Sequence, residues 1–478
     1  MGGAAGINLL LGMIRVKFAA VLIGASGVGL NASFTAVQGL VGTVAGLGIQ
    51  SSAVREIAAA MGKGDEPAIG RAMLTLRRIC WLTGLLGMAA MMLLSPFISQ
   101  FTFGHQDYAL DIAALGLVIL FGNLSGGQLA LIQGMRRIGD MARANIIGAV
   151  FGTVAAIGFY FTLGVRGIIP TLVAVSAFQL ALSWYFARKV PILKAMLSLG
   201  QTLAEARDMV RLGLVMMTNG LMDTAVTYFA ISLITQQEGL QAVGLYSAAF
   251  ALSGMFANFV LGAMGADYYP RLTGVLSDNI AMKRMVNEQT EIGLALALPG
   301  LLGTMAIAPW VLELFYNREF LGAVGLLQWF ILGCMGRVIS WPLGFVILAL
   351  GNTRWFLVTS ITYHLVHMTL IAVGYELFGL EGVAIAFFVT CLSYIPAVYL
   401  VCRYKIGFTW SLACKRMALF GLPSLGAVFV ACRSLTLWSG SAAGLLLTLL
   451  LSLYCLERLA DRLGSEHWIV RAFVRLTG

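Results

Sequence analysis

The feature that most constrains this chain is a succession of apolar stretches, each about 20 residues long. That is the length a helix needs to cross a hydrocarbon layer of roughly 30 Å. Fourteen such spans are read at 4–24, 31–53, 79–101, 109–133, 143–163, 167–187, 212–235, 242–266, 291–314, 324–350, 354–377, 381–402, 417–437 and 440–457. Inside a bilayer every backbone N–H and C=O must be satisfied within the protein, so spans of this kind are helices. Composition closes the alternatives. Hydrophobic residues make up 59% of the 478 positions and charged residues only 11%, against about 25% charged in an ordinary soluble domain. A soluble globule, a disordered chain, a coiled coil and a nucleic-acid-binding domain are all excluded. The fold class is all-α and polytopic.

The cations show how the spans are oriented. Alternate loops (54–78, 134–142, 188–211, 267–290, 351–354, 403–416) and the tail 458–478 carry 25 of the 31 Lys and Arg residues, counting those that open the next span. The opposite loops carry only Arg166 and Arg318. Cationic loops stay in the cytoplasm during insertion, so both termini are expected on the cytoplasmic side of a bacterial inner membrane, with an even span count. The net charge of +10 is then topological rather than a patch seeking an acidic partner. No phosphate-binding G-x-x-x-x-G-K-[ST] loop is present. The seven cysteines are scattered without a C-x-x-C pair, which points to neither zinc nor disulfides. No cofactor is expected beyond a coupling ion, H⁺ or Na⁺.

One offset recurs along the chain. VGLNASFTAVQG (28–39) aligns with VGLYSAAFALSG (243–254), pairing Val28/Val243, Gly29/Gly244, Leu30/Leu245, Ala36/Ala251 and Gly39/Gly254. At the same spacing, LGVRGI (163–168) aligns with FGLEGV (378–383), and Arg188 with Arg403. Two parallel six-helix lobes are therefore expected, 1–195 and 196–405. Residues 406–478 would supply two additional spans and a cytoplasmic tail; a twelve-span reading would treat that last pair as an appendage. Halves with an even span number share one topology, an arrangement suited to alternating access.

The first sixty residues carry the most specific pattern. They contain Arg15-Val16-Lys17-Phe18-Ala19-Ala20, Ile23-Gly24-Ala25-Ser26-Gly27-Val28-Gly29-Leu30, Gly46-Leu47-Gly48-Ile49 and Val54-Arg55-Glu56-Ile57-Ala58, with a weaker echo at Ala242-Val243-Gly244-Leu245-Tyr246. This resembles the Wzx-type polysaccharide flippases, the polysaccharide transporter branch of the multidrug/oligosaccharidyl-lipid/polysaccharide superfamily. The resemblance implies a two-lobed secondary transporter rather than an enzyme. Its cargo would be an undecaprenyl-pyrophosphate-linked glycan moved from the cytoplasmic to the periplasmic leaflet, with membrane lipids around it and a polysaccharide polymerase or assembly proteins as partners. Two related branches remain as alternatives: the lipid II flippases, whose first-helix Ser-Arg pattern is not evident here, and the drug/cation antiporters, which typically carry an acid in the first helix. Here that helix has two cations and no acid.

Charged and polar residues at bilayer depth usually face a wet cavity or a partner. Arg15 lies near the middle of the first span, with Asn8, Gly12 and Ala19 on its face. Lys17 is about 200° further round the helix. Either cation could hold a pyrophosphate, Arg15 by a bidentate fork and Lys17 as a point charge; the other reading pairs Arg15 with an acid and lets Lys17 snorkel. Asn31, Thr35 and Gln38 form one stripe that could bind sugar hydroxyls or link helices. Asp223, with Asn219 and Thr227 one turn to either side, is either an ion-coupling site or a counter-ion for Arg15, Lys17 or Arg337. Arg337, one turn before Trp341-Pro342, is a cargo or gating candidate. His364 and His367 are candidates for proton coupling and too few for a metal site. Arg433 is expected to snorkel, Pro299, Pro309, Pro396 and Pro423 are candidate bends, and Trp184 and Trp355 fit an interfacial belt.

Overall fold

The structure, a computed structural model, describes residues 2–191, 197–351 and 353–463. The tail beyond residue 463, expected on the cytoplasmic side, lies outside these. Among the described residues there are thirteen α-helices and no strand. The first half of the order runs α1 (Gly2–Gly46), α2 (Ile49–Lys63), α3 (Glu66–Phe103), α4 (Ala109–Gly134), α5 (Ile138–Leu163) and α6 (Ile168–Ala187). It continues α7 (Leu199–Thr273), α8 (Asn279–Ala306), α9 (Ala308–Phe315), α10 (Val324–Ala349), α11 (Thr353–Ile406), α12 (Leu412–Ser434) and α13 (Leu437–Leu463).

Three helices are too long for one crossing. α1 has 45 residues, α7 has 75 and α11 has 54, and at 1.5 Å per residue each would far exceed the hydrocarbon core. Each is broken at one glycine in the left-handed region: Gly24 (φ 66), Gly239 (φ 82) and Gly379 (φ 59). A β-carbon would make that conformation costly, and glycine has none. At Gly379 the chain folds back so closely that a Cβ on Gly382 would stand 1.8 Å from the Gly374 carbonyl oxygen. The turn between α5 and α6 uses Gly164 (φ 58) in the same way. α8 and α9 form one bent pair, turning by 83° just before Pro309. Divided at the four glycines, with that pair taken as one span, the apolar helices give fourteen segments among the described residues.

Two sequence expectations need correction. The stretches 25–30 and 236–241, expected as external loops, are helical, with Gly24 breaking the helix just before the first and Gly239 within the second, because one left-handed glycine is enough to redirect the chain. The span expected at 31–53 ends at Gly46, and the loop expected at 54–78 contains most of α2 and the start of α3. α2 buries Ile49, Ala53, Ile57 and Ala60 on one face, the period of an amphipathic helix lying along the protein. Pro299, Pro396 and Pro423 lie inside continuous helices. The breaks within α1, α7 and α11 fall on glycine instead, and of the four prolines only Pro309 sits beside a break, the one between α8 and α9.

The offset seen in the sequence recurs in the backbone. Left-handed residues pair at the same 215-residue spacing as Gly24/Gly239, Arg136/Gly351 and Gly164/Gly379. Arg136 and Gly351 follow the ends of α4 and α10. The N-termini of α3 and α8 are capped alike: Asp65 accepts from the Ala68 N–H, and Asp278 from those of Ile280 and Ala281.

The helices form two compact units. The first holds residues up to Leu245 together with Phe315–Glu319, and the second holds Tyr246–Leu314 and the chain from Phe320 onward. The first unit has two cores, one among α2, α3, α4, α6 and the start of α7, the other around Phe34, Leu115 and Tyr160. The core of the second includes Tyr268, Val286, Leu343 and Phe408.

Candidate functional site

In the first unit α1 lies along α5. The Arg15 guanidinium lies beside Gly152, its Nη1 3.7 Å from where a Cβ on that glycine would stand. One residue on, the Thr153 hydroxyl donates to the carbonyls of Leu11 and Ala149. Arg15 is exposed, and among the described residues no carboxylate pairs with it. The Asn8 side-chain oxygen, on the same face two turns earlier, is buried without a hydrogen-bond partner.

Lys17 points elsewhere. Its amino group donates to the Tyr316 carbonyl, within the short segment between α9 and α10. Asn317 donates from Nδ2 to the Ala20 carbonyl at 2.8 Å. The Glu319 carboxylate accepts the Ala25 N–H at 3.1 Å. That N–H belongs to the first residue after the Gly24 break, where an intrahelical partner is missing. Glu319 therefore caps the second half of α1 from a segment some 290 residues away, a role no local pattern could reveal.

In the stripe of Asn31, Thr35 and Gln38, Thr35 is exposed and the other two are half-buried. The Thr35 hydroxyl donates to the Asn31 carbonyl at 2.7 Å. One turn on, a Cβ at Gly39 would be 3.8 Å from the Thr224 methyl. The stripe thus runs toward the turn of α7 that bears Asp223. Asp223 is exposed and Asn219 half-buried, and the Thr227 hydroxyl donates to the Asp223 carbonyl at 2.9 Å.

The remaining candidates lie in the second unit. Arg337 is exposed between buried Gly336 and Val338, and among the described residues it too has no carboxylate partner. Gly336 abuts Cys391, whose thiol is 3.7 Å from the Tyr363 hydroxyl. The Tyr363 ring packs against both His364 and His367. His364 is buried, with Nδ1 2.7 Å from the Ser360 carbonyl. No group of metal-ligating side chains occurs among the described residues. Arg433, expected to snorkel, instead pairs with Glu381 at 2.8 Å and stacks over Phe429.

Outside the membrane spans, Glu56 of α2 shares its surroundings with Glu205 and Asp208 of α7. Partial burial, then those two negative charges, push its carboxyl above the usual range. Glu205 in turn accepts from the Thr75 hydroxyl at 2.9 Å and approaches Arg71 at 3.5 Å.

Glycine-broken helices repeated at one offset, with isolated cations at bilayer depth, define a multi-pass α-helical membrane protein of the multidrug/oligosaccharidyl-lipid/polysaccharide type. The inward-facing conformation of a multidrug resistance MATE family transporter of that superfamily superposes with a TM-score of 0.71 at 16% identity, covering 86% of this chain and 96% of that one. The lipid II flippase MurJ, in an inward closed conformation, gives 0.66 at 16% identity over 95% and 98%. At these identities the likeness is one of fold. Residues 20–325 match the polysaccharide biosynthesis protein family, and the chain belongs to it. The lipid III flippases of Escherichia coli K12 and Shigella flexneri are each 24% identical over 404 residues, 80% of this chain and 92% of theirs.

Proposed function

We propose that this protein is a flippase that carries an undecaprenyl-pyrophosphate-linked oligosaccharide from the cytoplasmic to the periplasmic leaflet of the inner membrane. It works by alternating access, with both termini cytoplasmic and an H⁺ or Na⁺ gradient as the driving force. The observation that carries this reading is Arg15, an exposed guanidinium in the middle of a membrane helix with no carboxylate partner among the described residues. A charge held there is costly unless something compensates it. A pyrophosphate supplies the matching charge, and a guanidinium fork binds it with two parallel hydrogen bonds. The polar stripe of Asn31, Thr35 and Gln38 offers donors and acceptors suited to sugar hydroxyls. Membership of a polysaccharide biosynthesis family, and two relatives named lipid III flippase, support a lipid-linked glycan as cargo. A polymerase or assembly proteins would act on what it delivers.

The test is translocation of a fluorescent polyprenyl-pyrophosphate oligosaccharide in proteoliposomes. Protein-dependent movement is expected, and Arg15→Ala should slow it roughly ten- to hundredfold, the weight of one charged hydrogen-bonding group. Transport of organic cations with no movement of the glycan would overturn the reading.

A further inference from the structure

The first unit contains a cavity of about 1010 Å³ between α3, α4 and α6, at the top of the roughly 300–1,000 Å³ usual for small-molecule pockets. Its lining runs from Gly70 to Trp81 on α3, from Leu120 to Leu131 on α4, and from Ala177 past the end of α6 to Arg188 and Val190. Eleven helical steps span about 17 Å, close to one leaflet of the hydrocarbon core. None of the residues assigned above to cargo or coupling lines it.

The walls are apolar apart from two guanidiniums and Gln128, whose side-chain oxygen accepts from the Ser183 hydroxyl at 2.6 Å. Arg77 and Arg188 are both exposed, and neither has a carboxylate partner among the described residues. Each carries a tryptophan one helical turn away on the same face: Trp81 follows Arg77 on α3, and Trp184 in the last turn of α6 precedes Arg188 at its C-terminal cap. The Arg188 guanidinium lies over the Trp184 ring at 4.8 Å. Both indoles are open to the surroundings, at 45% and 55% exposure, as belt residues at a membrane surface are. Along α6 the lining runs from apolar Ala177, Leu180 and Ala181 through Trp184 to Arg188, the order of acyl chains, interfacial belt and anionic headgroup, and Arg77 and Trp81 add a second cation and indole from α3.

The second unit has an equivalent place. Its cavity of about 440 Å³ is lined by Thr290, Leu294, Ile339, Leu392, Ile395 and Pro396. At the repeat spacing of α4/α10 and α6/α11, and that of the Asp65/Asp278 caps for α3/α8, these six correspond to Arg77, Trp81, Leu124, Ala177, Leu180 and Ala181. All six of those line the first cavity. Every other residue around the second cavity, from Trp410 to Leu422, belongs to α12 or the turn leading into it. In the second unit α12 covers the trough, and the arginine and tryptophan of α3 are replaced by Thr290 and Leu294. In the first unit no described helix covers it, and the cations are present.

We propose that the trough between α3, α4 and α6 binds an anionic phospholipid of the leaflet facing the cationic loops, its phosphate held by Arg77 and Arg188 and its acyl chains occupying the place that α12 takes in the second unit. The proposal does not depend on the identity of the transported cargo.

Native mass spectrometry of the full-length protein tests it, with phosphatidylglycerol and phosphatidylcholine of identical chains as probes. Preferential retention of phosphatidylglycerol is expected. It should weaken about fivefold for each of Arg77→Gln and Arg188→Gln, the weight of one cation at an anionic surface, while Lys63→Gln, at an exposed position of α2 outside the trough, should leave it unchanged. Ala181→Trp fills the trough without touching a charge and should lower retention of phosphatidylglycerol as well, with the melting temperature of each variant recording its folding. A phosphatidylglycerol bearing a diazirine on its acyl chain should crosslink to peptides of α3, α4 and α6. Equal retention of the two lipids overturns the proposal. So does undiminished retention by a folded Arg77→Gln/Arg188→Gln protein, binding confined to polyprenyl phosphate, or crosslinks that map to other helices.

Discussion

Gly29 and Gly244, equivalent positions of the internal repeat, pack against one another's helices in the first unit. A Cβ on Gly29 would stand 1.8 Å from the Leu240 carbonyl oxygen and 2.8 Å from the Gly244 nitrogen, and a Cβ on Gly244 would stand 2.1 Å from the Ala25 carbonyl oxygen. These neighbours are backbone atoms, which cannot swing aside as a side chain would. Gly29→Ala must therefore force α1 and α7 apart there, at an overpacking cost of about 1–3 kcal/mol. Ser33, fully buried and 3.4 Å from the Thr235 hydroxyl, reports on the separation. In a Ser33→Cys protein the thiol should react slowly with a maleimide, and adding Gly29→Ala should speed the reaction. Identical labelling rates with and without the alanine would show that the helices accommodate the methyl group.

Asp223 is an acid on the membrane-spanning part of α7, beside Asn219 and Thr227 and within a turn of Thr224, which faces Gly39 of α1. A carboxylate there can take up a proton or a sodium ion and bias one conformation over another, provided the two states hold the ion with different affinity. Asp223→Asn keeps the shape and removes the charge change. Transport by this variant in proteoliposomes should lose its response to an imposed pH or Na⁺ gradient while residual downhill movement persists. Transport with the wild-type response would assign Asp223 a structural place only.

Hydropathy made the helical membrane class legible, because bilayer thickness sets one length for every span. What it misplaced were the boundaries on either side of Gly24 and Gly239. Window averages see six polar-tolerant residues and read a loop, whereas the backbone needs only one left-handed glycine. α2 escaped for the opposite reason: its buried Ile49, Ala53, Ile57 and Ala60 are spaced for a helix face, but its mean hydropathy is too low for a span. Arg15 stood out in the sequence because charge is scarce there. The directions of Arg15 and Lys17, and the Glu319 cap on Ala25, depend on contacts between segments far apart in the chain, which no periodicity encodes. Arg77 and Trp81 are legible as a cation and indole one turn apart, but only the packing of α4 and α6 makes them part of the wall of a trough.

Glu56 carries a pH prediction. Burial and the nearby charges of Glu205 and Asp208 raise its carboxyl above the ordinary value. In the folded state it therefore holds its proton to higher pH than in the unfolded chain. Between the unfolded and the raised folded value the native state binds more protons, so this group's contribution to stability falls as pH rises through that window. Glu56→Gln mimics the protonated form. It should raise the melting temperature at neutral pH relative to wild type, with the difference shrinking as the pH is lowered toward the ordinary carboxylate range. A gap that stays constant from pH 4 to pH 8, roughly the span around a glutamate's reference value, would mean that charge repulsion is not its cause.

The Arg433–Glu381 pair tests how much an ion pair contributes when an aromatic surface backs it. The two side chains are 36% and 46% exposed, and water screening at such a site limits the pair to about 0–1 kcal/mol. Arg433 also lies over Phe429 at 4.8 Å and Trp329 at 5.6 Å, contacts worth about 0.5–1 kcal/mol at exposed positions. The pair rests on Gly325 of α10, where a Cβ would stand 2.4 Å from the Glu381 carboxylate. Glu381→Gln removes only the ionic part and should lower thermal stability slightly, whereas Arg433→Ala removes both parts and should cost more. Arg433→Lys keeps the charge but loses the flat stacking surface, so it should fall between them. A double-mutant cycle on unfolding midpoints measures the coupling. A value well above about 1 kcal/mol would show that the bilayer screens this pair less than its exposure implies.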